Sequence, residues 1–298
     1  MGKQFQQSDT KKSYYFNEVE KCNMCGDQTA GHKILGQRLN QSQGFNPKSK
    51  IGISVTVVQC GNCGLIYSNP QPIPVDFQAH YGVSPETYWK PHYFELDENY
   101  FSSEIKTAKS LIDFKEGMIA LDRAGFDAYG LEPSEAFYER AVSKMNIPSE
   151  KIKLGMIENL DYEENSFDFI TFGAVFEHLY GPSQCLEKTL KWLKPGGILH
   201  IEAPSADFLI SKIFNNYFKL RGTNYVAHLS PMHEPFHMYE FRLKSFEELS
   251  KRLNFKIALS EYFVCDIMFI PKVFHKVLRW YMDKTQKGMQ FVVWLRKK

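Results

Sequence analysis

Apolar residues change period several times along this chain, and each change marks an element boundary. Residues 167–172 form a short, nearly continuous apolar run, the pattern of a strand buried on both faces in a parallel sheet. Residues 185–193 then repeat their apolar positions at helical spacing, Pro195-Gly196-Gly197 stops that helix, and residues 198–201 resume as a strand. Strand, loop, helix, tight turn and strand thus read as one half of an α/β domain with a parallel sheet. Residues 126–132 read as an earlier strand, preceded by a helix over 120–124. Downstream, the pattern predicts an amphipathic helix over 246–253, a strand over 255–264 and a closing antiparallel strand over 289–295. The stretch 104–114 supports two readings. Ile105, Ala108, Leu111 and Ile112 follow helical spacing and suit the end of a linker helix, whereas 111–114 suits a first strand.

A chain of 298 residues can bury one substantial core plus a small satellite domain. Its net charge of +2 gives no global reason to expect nucleic acid as a partner. No apolar signal core opens the N-terminus, and no apolar run approaches the roughly 18 residues of a membrane span, so a cytoplasmic protein is expected. The stretch 270–285 mixes aromatic and aliphatic residues with Lys272, Lys276, Arg279 and Lys284. It reads as a surface helix with one face on the core. The alternative is weak contact with an anionic membrane surface or a polyprenyl-linked substrate.

Four of the six cysteines form two pairs, Cys22-Asn-Met-Cys25-Gly and Cys60-Gly-Asn-Cys63-Gly, about 34 residues apart. A CxxC turn aims two thiolates at one ion, and the following glycine lets the backbone curl around the sulfurs. Two such knuckles complete a tetrahedral zinc site with no open position, so the ion would be structural. Redox chemistry is the alternative, but disulfides are rare in cytoplasmic chains. The spacing requires an inserted loop, expected over 36–50, and residues 51–58, rich in β-branched side chains, read as the strand leading into the second knuckle. Cys185 and Cys265 stand alone and are expected to pack as small apolar groups.

The run SFDFITFGAVFEHLYGPSQCLEKTLKWLKPGGILHIEAP resembles class I S-adenosylmethionine-dependent methyltransferases, which share its acidic residue near the fourth strand, its Glu-His pair and its LKPGG turn. Together with GLIYSNPQPIPVDFQAHY after the second knuckle, the chain is similar to zinc-containing C-methyltransferases acting on nucleotide-linked deoxysugars. The resemblance implies a Rossmann-like sheet with an N-terminal zinc ribbon. The organisation it suggests is a flexible segment over 1–19, the ribbon over 20–75, a helical linker over 76–110 and a methyltransferase domain over 111–298. An insertion would occupy about 205–242 and a basic helix about 270–285.

Carried over residue by residue, the resemblance implies S-adenosylmethionine as cofactor. Glu132, in Gly-Leu-Glu-Pro-Ser, would accept the ribose hydroxyls. Ile157 and Glu158 would flank adenine, where Met156 replaces the usual polar residue, and Gly173 would let the sulfonium lie against backbone. Tyr81, Tyr88, Trp89 and Tyr93 become candidates for lining the acceptor cleft, with domain packing as their ordinary alternative. Two histidines match family positions, His178 in Phe-Glu-His-Leu and His237 in Pro-Phe-His-Met-Tyr. His237 takes the role of base, and His178 acts beside it or braces its loop.

Two departures stand out. The family's glycine loop is shortened to a single Gly117, and Phe236 replaces the glutamate that normally precedes the base and orients it. The reading is therefore a methyltransferase acting on a small nucleotide- or glycan-linked sugar, with two alternatives. One is a binding or scaffold protein of the same fold that has lost the cofactor loop, and the other is a nucleic-acid methyltransferase.

Overall fold

The computed structural model of the protein describes residues 13–40, 53–78, 85, 101–112, 127–229, 237–265, 267 and 270–298. The chain opens with β1 (Tyr14–Asn17) and then runs through β2 (Lys33–Asn40), β3 (Ile53–Gln59), β4 (Ile66–Ser68) and β5 (Gln71–Pro74). Strands β2, β3 and β4 form an antiparallel meander, and β5 turns back to pair with β1. The two CxxC turns sit just before β2 and between β3 and β4.

A helix α1 (Ser102–Leu111) follows, which selects the helical reading of the ambiguous 104–114 stretch as far as Leu111. Next come β6 (Gly130–Glu132), α2 (Glu135–Ser143) and β7 (Ile152–Leu154), a right-sized crossover in which β6 and β7 pair in parallel. Ser134 caps α2 by accepting the amide of Phe137 at 3.5 Å. The second parallel unit is β8 (Phe167–Gly173), α3 (Pro182–Trp192) and β9 (Leu193–Pro204). Beyond α4 (Leu209–Leu220), β10 (Tyr239–Glu240) and α5 (Leu243–Leu249), a hairpin of β11 (Phe255–Phe263) and β12 (Gln290–Lys297) encloses α6 (His275–Thr285). The main sheet has the order β11-β12-β9-β8, with β12 antiparallel to both neighbours.

Three expectations change in detail. Residues 195–197 do not separate helix from strand: β9 already begins at Leu193, which pairs with Phe167, while Phe169 pairs with Ile198. Residues 194–197 therefore bulge out of a continuous strand, and the bulge places Lys194 Nζ 2.7 Å from the buried Asp168 carboxylate. The expected loop over 36–50 is strand as far as Asn40, because 33–40 pairs along all of β3, and 41–50 lies outside the described residues. The helix expected over 246–253 begins earlier and ends earlier, since the last turn closes by Leu253 N–H donating to Leu249 O and 251–254 turns into β11. The helix expected over 120–124 lies outside the described residues.

One core serves both the cysteine knuckles and the main sheet. Cys22, Met24, Cys60, Cys63, Leu65 and Tyr67 pack in the same buried cluster as Phe176, Phe241, Phe246 and Phe291. Helix α1 covers the other face of the sheet through Ala108, against Phe169, Ile198, Val292 and Trp294. The β6–β7 pair joins through aromatic edges: Tyr162 lies 5.0 Å from Phe167 and 5.3 Å from Trp192, ring centre to ring centre, and its hydroxyl donates to Gly130 O at 2.9 Å. Among the described residues no helix is long and apolar enough to cross a membrane.

Candidate active site and cysteine cluster

The two CxxC turns fold identically. Cys22 N–H donates to Asp27 O and Gly26 N–H to Cys22 O; likewise Cys60 N–H donates to Leu65 O and Gly64 N–H to Cys60 O. Gly26 and Gly64 have φ of +81° and +74°, a region that a side chain makes costly, and Arg252 and Arg242 lie over them. A Cβ on Gly64 would stand 2.7 Å from Arg242 Nε. The turns bring all four sulfurs within 4.8 Å of one another, with Cys22–Cys63 and Cys25–Cys60 each at 3.5 Å. Four ligands at about 2.3 Å from a tetrahedral ion would stand about 3.8 Å apart, so the donor set and its spacing suit zinc. The Cys22 and Cys63 thiols, hydrogen-bonded to Cys60, hold its thiol far below the ordinary range, and the same contact with burial pushes Cys22 up. Cys60 is thereby held as thiolate, the form that a metal requires, while Cys22 and Cys63 are pushed toward the thiol.

The knuckles are tied into the rest of the molecule. Ser245, on α5, donates to Cys63 O at 3.3 Å, and Arg252 donates to Met24 O at 3.3 Å. Asn23, inside the first knuckle, donates to the hydroxyl of Tyr239. That hydroxyl also accepts from Gln71 at 2.6 Å and donates to Tyr180 O at 2.9 Å. The Tyr67 ring stacks on Tyr239 at 6.2 Å, and His32 Nδ1 meets the Tyr67 hydroxyl at 2.6 Å.

Tyr239 belongs to β10, which joins the meander as an edge strand against β4. The backbone just before it is fixed from two sides: Ser68 N–H donates to Met238 O at 3.3 Å, and Met238 N–H donates to Glu177 O at 2.8 Å. His237 is thereby held beside the short 3₁₀ turn Phe176–His178 that follows β8. Its ring lies 4.8 Å from that of His178, edge to face. Both imidazoles converge on one carboxylate, Glu177 Oε1, which is 3.7 Å from His237 Nε2 and 3.9 Å from His178 Nε2.

Glu177 is buried, and its Oε2 has no hydrogen-bond partner among the described residues. Burial pushes its carboxyl up to about 8, with a smaller contribution from Glu202. The sequence reading named both histidines and quoted the Glu177-His178 pair, but gave the glutamate between them no role. The signal was its position in Phe-Glu-His, next to a candidate base on a loop after a parallel strand. Phe236 lies outside the described residues, so Glu177 is the described carboxylate beside His237.

The cofactor candidates fall at the carboxyl ends of parallel strands, where open α/β sheets bind ligands. Glu132 ends β6; its Oε1 accepts the Ser134 N–H at 2.8 Å, and burial raises its carboxyl. Gly173 ends β8 on the surface, and a Cβ there would meet nothing within 4 Å. Its own surroundings do not demand glycine. Ile157 is buried in the main core, and the Glu158 carboxylate accepts from the Cys185 thiol at 3.7 Å. Gly117, Tyr81, Tyr88, Trp89 and Tyr93 lie outside the described residues.

Residues 116–201 match the family model described as "Methyltransferase domain". A stretch of 81 residues is 32% identical to an uncharacterised 37.1 kDa protein of transposon Tn4556 from Streptomyces fradiae, covering 27% of this chain and 24% of that protein. The chain thus spans about a quarter of the length of this curated relative. Among solved structures, an S-adenosylmethionine-dependent methyltransferase from Mesorhizobium loti aligns at 13% identity over 68% of this chain and 99% of its own, with a TM-score of 0.42. One from Archaeoglobus fulgidus aligns at 13% over 69% and 97%, also with a TM-score of 0.42. The family match takes in the β6–β7 unit and the β8–β9 unit as far as Ile201, under a third of the chain, and that segment is similar to a methyltransferase domain.

Proposed function

We propose that the protein is an S-adenosylmethionine-dependent methyltransferase acting on a small nucleotide- or glycan-linked sugar, braced by a structural zinc ion. The observation that carries the reading is the convergence of His178 and His237 on the buried Glu177, on the turn after β8 of a methyltransferase domain. The cofactor supplies an electrophilic methyl group; the chain must hold it and manage the acceptor's proton. Glu132 would take the ribose hydroxyls, Ile157 would pack against the base, and the bare backbone at Gly173 would admit the sulfonium. Of the expected contacts, Glu158 fits least well, since its carboxylate is already engaged by Cys185.

His237 is the base: it removes the proton from the acceptor as the methyl group arrives, so that the acceptor ends neutral and the imidazole cationic. A charged imidazole in a buried site needs a counter-charge, and Glu177, 3.7 Å away and neutral at rest, would supply it by ionising as the imidazolium forms. Glu177 is a positioning residue, acting through His237 and His178. It stands in for the carboxylate that Phe236 has displaced from the sequence. Cys22, Cys25, Cys60 and Cys63 would hold zinc. The ion would keep Asn23 and the Tyr67 ring in place and, through Tyr239, the strand that carries His237.

The sugar acceptor rests on the resemblance of the cysteine-knuckle segment and of the His237 motif to sugar C-methyltransferases. Transfer of a labelled methyl group from S-adenosylmethionine to a panel of nucleotide-linked keto-deoxysugars tests it. We expect one class of sugar to be labelled and the His237→Asn variant to lose about 10²- to 10⁴-fold in rate with its fold unchanged. Labelling that His237→Asn leaves at the wild-type rate would remove His237 from the chemistry, and labelling of RNA or DNA in place of sugars would replace the acceptor class.

A further inference from the structure

Helix α6 was expected to lay one face on the core, with weak membrane contact as the alternative; it buries one face and exposes a second apolar one. Leu278 and Met282 point inward, packing with Ile210 of α4 and with Ile267. On the outer side Val277 and Trp280 of α6 continue a row begun by Val273 in the 3₁₀ turn just before it, and the three are 66%, 61% and 78% exposed. Phe274 and Tyr281 extend the same exposed surface. The neighbouring helix α4 has the same character, with Ile213, Tyr217 and Leu220 in the open at the same spacing and Leu220 88% exposed. Large side chains scattered singly over a surface need no explanation, but a row of Val, Val and Trp running from the 3₁₀ turn Lys272–Phe274 into α6 does.

Charge identifies what covers this face. Over residues 270–287 there are five Lys and Arg side chains against the single Asp283, although the whole chain carries only +2. Lys276 and Lys284 flank the apolar row on the exposed side, and Lys272 stands at its start. A second copy of this chain would bring like charges together across the contact. An anionic bilayer satisfies both features, taking the Val and Trp side chains at the acyl boundary and the lysines among its phosphates. We propose that α6 is an interfacial helix that docks the protein, lying flat, on an anionic lipid surface. This does not depend on the methyltransferase reading.

Co-sedimentation of the full-length protein with phosphatidylglycerol-containing vesicles and with pure phosphatidylcholine vesicles tests the proposal. Each basic group near an anionic surface strengthens attraction about fivefold, so reversing two of them in Lys276→Glu/Lys284→Glu weakens binding at least tenfold. Val277→Ser/Trp280→Ser also weakens it, and both variants keep the wild-type melting temperature because the altered side chains are exposed. Sedimentation with anionic vesicles but not neutral ones, lost in both variants and in high salt, supports the docking face. Equal behaviour of the two vesicle types, or variants that bind like wild type, would overturn it. So would a concentration-dependent dimer in light scattering that the same substitutions abolish, since the face would then belong to a second copy.

Discussion

Glu177 combines three properties seldom found in one side chain: burial, an unpartnered carboxylate oxygen among the described residues, and two imidazoles within 4 Å of the other oxygen. Its raised pKa has a consequence for stability that can be signed. In the unfolded chain a glutamate titrates near pH ~4.3, and in the folded protein near 8. The neutral form is therefore the one that folding favours. The corresponding stability is fully present below the unfolded pKa and is lost as the pH rises through about 8. Urea midpoints measured from pH 5 to pH 9 should fall across that window for wild type and fall less for Glu177→Gln. Parallel curves would mean that Glu177 does not titrate there. In turnover, Glu177→Gln should displace the basic limb of the pH–rate profile, a change that a purely structural residue would not produce. At Gly173, Gly173→Ala should leave stability within about 0.5 kcal/mol and weaken cofactor binding, because the added methyl meets no protein atom but would crowd a ligand.

At the scale of elements, the two knuckles, α5 and β10 act as one brace. Arg242 and Arg252 flank α5 and lie over the two knuckle glycines, Ser245 bonds the second knuckle, and β10 pairs with the strand between β3 and β5. Removing one thiolate should therefore disturb more than the metal. We expect Cys63→Ser to bind less than one zinc per chain, to lose at least about 3 kcal/mol of stability, and to lose the activity of His237 with it. Full zinc content with wild-type stability in that variant would separate the cysteines from any metal role.

Much of this layer was legible beforehand. The apolar run 167–172, the helix 182–192 and the hairpin of β11 and β12 have strong periods, and CxxC spacing carries its own geometry. The exceptions have physical causes. A bulge at 194–197 keeps turn residues inside a strand, and β10 is only two residues long, too short for any period, although it places His237. Glu177, noted in the Glu-His pair, was given no role of its own because a glutamate beside a histidine looks like a surface residue until the fold buries it.

On the scale of the whole molecule, the cysteine cluster, the main sheet and the histidine site share one continuous core among the described residues. Cofactor binding is what separates an enzyme of this fold from a scaffold that has kept only its shape. The most direct test is calorimetric titration of the zinc-loaded, full-length protein with S-adenosylhomocysteine, with Glu132→Ala alongside. The account predicts micromolar, one-to-one binding that Glu132→Ala weakens by about 1–3 kcal/mol, the range for a lost hydrogen bond to a charged group. Absence of binding by a protein that is folded and carries its zinc would contradict the enzyme reading and leave a methyltransferase fold used for another purpose.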